Sequence, residues 1–292
     1  MAEYQAQNMF TMTGRTAVIT GGGSGIGRMI AKGFFANGAS VTLVDWLQDR
    51  LDSSRRKPPD LITNGSADEL SRVQGDLSQE SGVAGVVSEI KASHKEVDVL
   101  VMCAGVRKVN KIAFTPGESL LKLVEATQSL SFQDLDYSFR INLYSQYFLV
   151  AGLLGLVGAA ATKGGGRGSI IMVSSAASKH NGQFVPAYQM SKAAIDHLVR
   201  IMASEFADHY IRVNSINPGL FPSALNPMDP NHPESNMRFA GQMPARRPGT
   251  EQEMAATALY LSSPAGGFVT GTNIVIDGGR LLVAAGSISS KL

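Results

Sequence analysis

Thr16-Ala17-Val18-Ile19-Thr20-Gly21-Gly22-Gly23-Ser24-Gly25-Ile26-Gly27 is the stretch on which the fold class turns. Thr16 to Thr20 is a short apolar run closed by glycine, the pattern of a strand buried on both faces. A helical stretch, Arg28 to Asn37, follows and is stopped by Gly38. Ser40-Val41-Thr42-Leu43-Val44-Asp45 then reads as a second strand. Strand, glycine turn, helix and strand fall within about thirty residues, the context that a dinucleotide-binding turn requires. The glycines let the backbone approach a pyrophosphate, and the helix N-terminus offers unpaired N–H groups and a partial positive charge. The spacing is Thr20-Gly21-x-x-x-Gly25-x-Gly27, a variant of the strict Gly-x-Gly-x-x-Gly pattern.

Outward from this unit, strands and helices keep alternating. Val73 to Asp76 is a third strand, followed by a helix to about His94, and Val97 to Cys103 a fourth strand ending in Ala104-Gly105. A linking segment (107–130) leads to one long apolar helix, Phe132 to Thr162, which carries Asn142 and is broken by Gly164-Gly165-Gly166. Ser169 to Ser174 is a fifth strand, Ala187 to Tyr210 a helix, Arg212 to Asn217 a sixth strand and Asn273 to Asp277 a seventh. The alternation predicts an α/β fold, a Rossmann-type doubly wound parallel sheet of about seven strands with helices on both faces. Ligands of such sheets sit beyond the carboxyl ends of the strands. Gly21, Asp45, Asp76, Ala104, Ser175 and Pro218 all stand there. Residues 1–14 read as a loosely held arm, 15–280 as a single domain and 281–292 as a tail. The polar excursion 46–70, with Arg55-Arg56-Lys57-Pro58-Pro59, reads as a solvated loop.

Composition narrows the function classes. The chain has 292 residues, 44% hydrophobic and 17% charged, which suits one large α/β domain. A net charge of +2 makes no electrostatic case for nucleic acid or an anionic membrane surface. With Cys103 as the only cysteine, an intrachain disulfide is impossible. The five histidines show no metal-ligand spacing, so no metal is expected. The start lacks the basic and apolar regions of a leader, and the apolar run Phe148 to Ala161 is too short to span a bilayer.

The chemistry is carried by Ser174-Ser175 and by Tyr188-Gln189-Met190-Ser191-Lys192. On a helix, residues four apart share a face, so the Tyr188 phenol and the Lys192 ammonium point the same way. A free tyrosine, with a pKa of about 10, is a poor base near neutrality. A nearby fixed cation favours the phenolate, so the pair can exchange protons with a bound alcohol or ketone. Ser175 is placed to hydrogen-bond the same substrate oxygen. Asp45, ending the second strand, is positioned to accept from adenosine ribose hydroxyls and would repel a 2′-phosphate. Arg50 lies nearby and tempers that preference.

From residue 14 to 280 the chain closely resembles the short-chain dehydrogenase/reductase superfamily. Thr20-Gly21-x-x-x-Gly25-x-Gly27, Asp76-Leu77, Cys103-Ala104-Gly105, Asn142, Ser175, Tyr188, Lys192, Pro218-Gly219 and Asp277-Gly278-Gly279 match its motifs in order. Pro218-Gly219-Leu220-Phe221-Pro222-Ser223 and Asp277-Gly278-Gly279-Arg280-Leu281 are similar to a fungal branch named rhamnolipid-type 3-oxoacyl reductases. Cys103 stands where the family has asparagine, which removes an amide partner from the neighbouring turn; it reads as a small buried residue rather than an activated thiol.

The resemblance implies an oxidoreductase interconverting a secondary alcohol and a ketone with a nicotinamide cofactor. Tyr188 would be the general acid/base and Ser175 would orient the substrate oxygen. Lys192 would hold the nicotinamide ribose and lower the tyrosine pKa, and Asn142 would anchor a water linking Lys192 to solvent. The cofactor would meet Gly21, Ser24, Gly25, Ile26, Gly27, Asp45, Asp76, Leu77, Ala104, Gly105, Pro218, Gly219, Phe221 and Ser223. Ser24 stands where phosphate-preferring relatives often carry a base, so NAD is expected ahead of NADP. An epimerase, cyclase or isomerase without net redox change is the alternative on this fold, and a nucleotide-sensing scaffold a third.

Residues 220–250 resemble the family's substrate lid, stiffened by Pro222, Pro227, Pro230, Pro233, Pro244 and Pro248, with His180 and Gln183 beside the site. Phe184, Phe221, Met228, Met237 and Phe239 suggest an apolar, lipid-like or secondary-metabolite ligand, or simply pack the lid onto the body. A homo-oligomer, tetramer or dimer, is expected. The terminal Ser290-Lys291-Leu292 reads as a peroxisomal address for an import receptor, with the cytoplasm as the alternative.

Overall fold

Seven parallel strands form one sheet in the order β3-β2-β1-β4-β5-β6-β7: β1 Thr16–Thr20, β2 Ser40–Asp45, β3 Leu70–Gln74, β4 Val99–Met102, β5 Ser169–Val173, β6 Arg212–Pro218 and β7 Asn273–Ile276. The structure is a computed structural model that describes residues 1–53, 70–115, 117–179, 184–232 and 234–284. The basic-proline run Arg55 to Pro59, His180, Gln183, Pro233 and the terminal tripeptide fall outside them.

Alternate residues of each strand feed one of two cores. Val18, Leu100, Met102, Ile170 and Met172 face α2 (Glu80–Ser93), α4 (Ser145–Ala161) and α5 (Pro186–Glu205). Ala17, Ile19, Val99, Val101 and Ile171 face α1 (Gly25–Ala36) and α6 (Glu251–Ser262). This is the expected doubly wound arrangement, and burial of each such side chain is worth roughly 1.5–3 kcal/mol. The sheet order reverses between β1 and β4, which opens a crevice above their carboxyl ends.

Local details depart from the sequence reading. β3 begins at Leu70 and ends before Asp76, which lies in the following turn. Met12, in the expected loose arm, is fully buried, and its amide donates to the Asn37 carbonyl at 3.0 Å. The long apolar helix is not uniform. α3 (Phe132–Phe139) starts on a Ser131/Asp134 capping box, then Arg140–Tyr144 opens into a π-turn before α4. The Ser145 amide there donates to the Arg140 carbonyl, five residues back. By length and composition, Phe132–Ala161 would pass for a membrane span. Leu149, Leu153 and Val157 nevertheless sit in the sheet's core, as a core helix requires.

Candidate active site

The glycine turn is built by close approach. Gly21 has φ +65°, and a Cβ there would come within 3.0 Å of the Ala104 Cα. A Cβ on Gly27 would lie 2.4 Å from the Gly21 carbonyl oxygen, so only glycine lets α1 start directly above the turn. Ser24 is the N-cap in extended conformation, and its side chain caps none of the first-turn amides. Those amides therefore face the cleft as an anion cradle, and the residues present fit a dinucleotide pyrophosphate.

Thr20 holds the backbone at Cys103. Its Oγ1 accepts from the Cys103 and Ala104 amides at 3.0 and 3.1 Å, fixing the β4 end against β1. Burial pushes the Cys103 thiol up to about 12, against the opposing influence of the Lys192 charge. The neutral, inert reading of that thiol holds.

Asp45 is buried at the end of β2, its Oδ2 accepting from the Gly23 amide and its Oδ1 from the Leu47 amide, both at 3.3 Å. Asp76 is exposed, with Oδ1 accepting from the Ser78 amide at 2.9 Å, beside buried Leu77. Across the cleft, Pro218 ends β6 and Ser223 pairs with Asn226 in an isolated bridge. A Cβ on Gly25 would come 3.0 Å from the Ser223 Cβ, so the segment after β6 lies directly over the glycine turn.

Helix α5 starts with Pro186 in its first turn and carries Tyr188 and Lys192 on one face, as their spacing predicts. The Lys192 Nζ lies 5.8 Å from the Tyr188 ring centroid and donates to the Val173 carbonyl at 2.8 Å. Burial lowers the Lys192 pKa to about 8, opposed by the charge of Asp196. Burial pushes the Tyr188 phenol up, while the Ser175 hydroxyl and then the Arg107 charge pull it down. Lys192, the cation expected to act on the phenol, is engaged at the Val173 carbonyl. Ser175 caps the short turn Ala176–Ser178, its Oγ accepting from the Ala177 amide at 3.1 Å.

Asn142 is fully buried in the π-turn. Its Oδ1 accepts from the Val106 amide at 2.8 Å, and its Nδ2 donates to the Val106 carbonyl at 3.0 Å and the Ser191 Oγ at 2.9 Å. Both amide hydrogens are therefore spent on protein, and one Oδ1 lone pair remains. A Cβ on Gly105 would sit 3.1 Å from that Oδ1 and 3.4 Å from the Lys192 Nζ, so both groups border the space above this glycine.

Every site residue read from the sequence except Asn142 lines one cleft of about 460 Å³, and Asn142 reaches it through Val106. Of the apolar lid set, Phe221 alone lines this cleft. Met237 packs with Leu220 and Met243 inside the lid, Phe239 lies against that cluster, Phe184 meets Phe114 edge-on, and Met228 is exposed. These residues mostly pack the lid. The sequence reading missed Arg107, Asp196 and Asn217, and it quoted Thr20 and Arg280 in motifs without giving either side chain a part in the site; the one available signal for Arg107 was its place just after Ala104-Gly105.

The family model described as enoyl-(acyl carrier protein) reductase matches residues 21–280. The short-chain dehydrogenase/reductase PhomF of Diaporthe leptostromiformis is 31% identical over 97% of this chain and 96% of its own length. The rhamnolipids biosynthesis 3-oxoacyl-[acyl-carrier-protein] reductase of Pseudomonas aeruginosa is 30% identical over 92% of this chain and 97% of its own. The solved Pseudomonas aeruginosa RhlG/NADP active-site complex superposes with a TM-score of 0.78, at 28% identity, over 93% of this chain and 98% of that one. Fold, ordered motifs and full-length relatives agree: this chain belongs to the short-chain dehydrogenase/reductase superfamily.

Proposed function

We propose that the chain interconverts a secondary alcohol and a ketone, using NAD in preference to NADP, with Tyr188 as general acid and base. The observation that carries this reading is that Ser175, Tyr188 and Lys192 line one wall of the cleft together, with Tyr188 and Lys192 on the same helix face. A substrate oxygen there would meet two hydroxyls, one orienting it and one exchanging its proton. The bound nicotinamide would supply the redox chemistry. The first-turn amides of α1 would hold its pyrophosphate, Asp45 its adenosine ribose, Asp76-Leu77 its adenine, and Lys192 the second ribose.

Lys192 and the free Oδ1 lone pair of Asn142, facing one point above Gly105, would pass the proton onward through water. Ile141, Leu220, Phe221 and Leu225 give the substrate half of the cleft an apolar wall, which suits a lipid-like or secondary-metabolite substrate.

The test is Tyr188→Phe assayed against a panel of secondary alcohols and ketones with both cofactors. Cofactor binding should hold while turnover falls by about two orders of magnitude or more, because the proton-transfer group is gone. Turnover near that of the parent would sink the mechanism. The pH dependence has a sign: oxidation needs the phenolate and should rise as pH approaches the raised phenol value, while reduction should fall.

The reading extends to assembly and address. Phe132, Tyr147, Phe148, Met190 and Ile201, on α3, α4 and α5, are 46–81% exposed and would supply the face of a homo-oligomer. Light scattering at the monomer mass of 30.9 kDa would refute that. Ser290-Lys291-Leu292 would direct the enzyme to peroxisomes.

A further inference from the structure

The charges lining the cleft are divided. Its carboxylates among the described residues, Asp45 and Asp76, both stand at the adenosine end, beyond β2 and β3. Arg50 stands with them, and the far end carries cations alone: Lys192, Arg107 and Arg280. Lys192 is engaged with the Val173 carbonyl, and Arg107 and Arg280 are the two not accounted for by the reading above.

Arg107 is held at both ends. Val106, before it, is pinned by two hydrogen bonds to Asn142, and the guanidinium donates through Nη2 to the Glu234 carbonyl of the lid. That uses one of five N–H donors, and no carboxylate among the described residues pairs with it. It lines the cleft two residues beyond Gly105, the glycine above which Lys192 and Asn142 meet. Arg280 is half-buried, with its guanidinium 5.6 Å from the Phe239 ring centroid. The carboxylate whose charge reaches it, Asp277, accepts from the Gly279 and Leu281 amides at 2.9 and 2.8 Å.

A guanidinium with unspent donors beside an apolar wall matches a planar oxyanion on an aliphatic body. We infer that the substrate is a hydroxy or oxo acid whose carboxylate is bound by Arg107, with Arg280 as the second cation, while its alcohol or ketone carbon faces Ser175 and Tyr188. The inference rests on the alcohol–ketone reading for the reaction, but the anion site is a matter of binding and is tested separately. Because Arg107 also holds the lid at Glu234, the carboxylate and the lid meet at one side chain.

The probes are racemic 3-hydroxyoctanoate and its methyl ester, equal in chain and hydroxyl and different in charge. Each is titrated calorimetrically into the full chain saturated with oxidised cofactor, and each is assayed by formation of reduced cofactor. The acid should bind at least tenfold more tightly than the ester. Arg107→Met should abolish that preference, raise KM for the acid more than it lowers kcat, and leave the cofactor Kd unchanged. Arg107→Lys should restore part of the preference, and Arg280→Met should lose less of it than Arg107→Met. Equal affinity for acid and ester, including binding of neither at millimolar concentration, overturns the inference, as does a preference that survives Arg107→Met. Tight, Arg107-dependent binding of the acid with no reduced cofactor from either probe keeps the anion site and counts against the redox reading instead.

Discussion

The side-chain amide of Asn217, in β6, donates to both carboxylate oxygens of Asp196, in α5, at 2.8 and 3.0 Å. The same amide reaches the Ser175 carbonyl at 3.3 Å, and the Ser178 Oγ lies 2.7 Å from both the Ser175 carbonyl and Asp196, with one proton to give to either. Asp196, one turn beyond Lys192, thus ties the helix carrying the tyrosine to the turn carrying the serine. Lys179 adds an ion pair to it at 3.2 Å.

Asp196→Ala leaves several buried donors without their charged acceptor. It should cost about 2–3 kcal/mol in urea unfolding and lower kcat with little change in cofactor Kd. Asp196→Asn, which keeps a carbonyl acceptor, should recover part of kcat. Equal kcat losses in the two variants would show that Asp196 acts only on stability.

Lys192 gives a pH signature in the cofactor-free protein. Its pKa falls from 10.5 to about 8 on folding. Below pH 8 both states hold the proton, and the folded state bears the full cost of the buried charge. Between about 8 and 10.5 the unfolded chain keeps a proton that the folded chain has lost, so stability rises with pH. Unfolding of the parent and of Lys192→Met at pH 7.5 and 10 should show the parent gaining on the variant, by on the order of 3 kcal/mol at most. A constant difference would mean that Lys192 is not a buried cation.

Asp45 should set cofactor choice. A carboxylate at the ribose opposes a 2′-phosphate, while Arg50 is packed against the same turn, where a Cβ on Gly23 would come 2.9 Å from its Cβ. Titration should give NAD the lower Kd, and Asp45→Ser should improve NADP binding at least tenfold, about 1.4 kcal/mol. Tighter NADP binding by the parent would show that Arg50 overrides Asp45.

A fluorescent protein fused to the N-terminus, leaving Leu292 as the true end, should give punctate peroxisomal signal. Removal of Ser290-Lys291-Leu292 should make it diffuse. Diffuse signal from both forms would return the protein to the cytoplasm.

What could be read from the residues, and what could not, divides along physical lines. The glycine turn, the alternating strands and the Tyr188/Lys192 pair are local patterns, and each fell where its spacing put it. Thr20 was hidden because its hydroxyl serves amides some eighty residues away, across the β1–β4 crossover. Asp196 and Asn217 were hidden for the same reason: neither is unusual on its own helix or strand, and only their meeting is informative. In the lid, aromatic and methionine residues named a composition without a direction. Burial then turned Met237 inward and left Met228 in solvent.

The π-turn at Arg140–Tyr144 changes what kind of edit the site would tolerate. A π-turn takes in one residue more than an α-helical turn and confines the surplus to itself. Loss of a single residue between 140 and 144 would therefore close the turn into regular helix and leave Leu149 and Leu153 against the sheet. What would move is Asn142, whose Oδ1 borders the space above Gly105. Along this helix, the core would forgive a lost residue and the site would not.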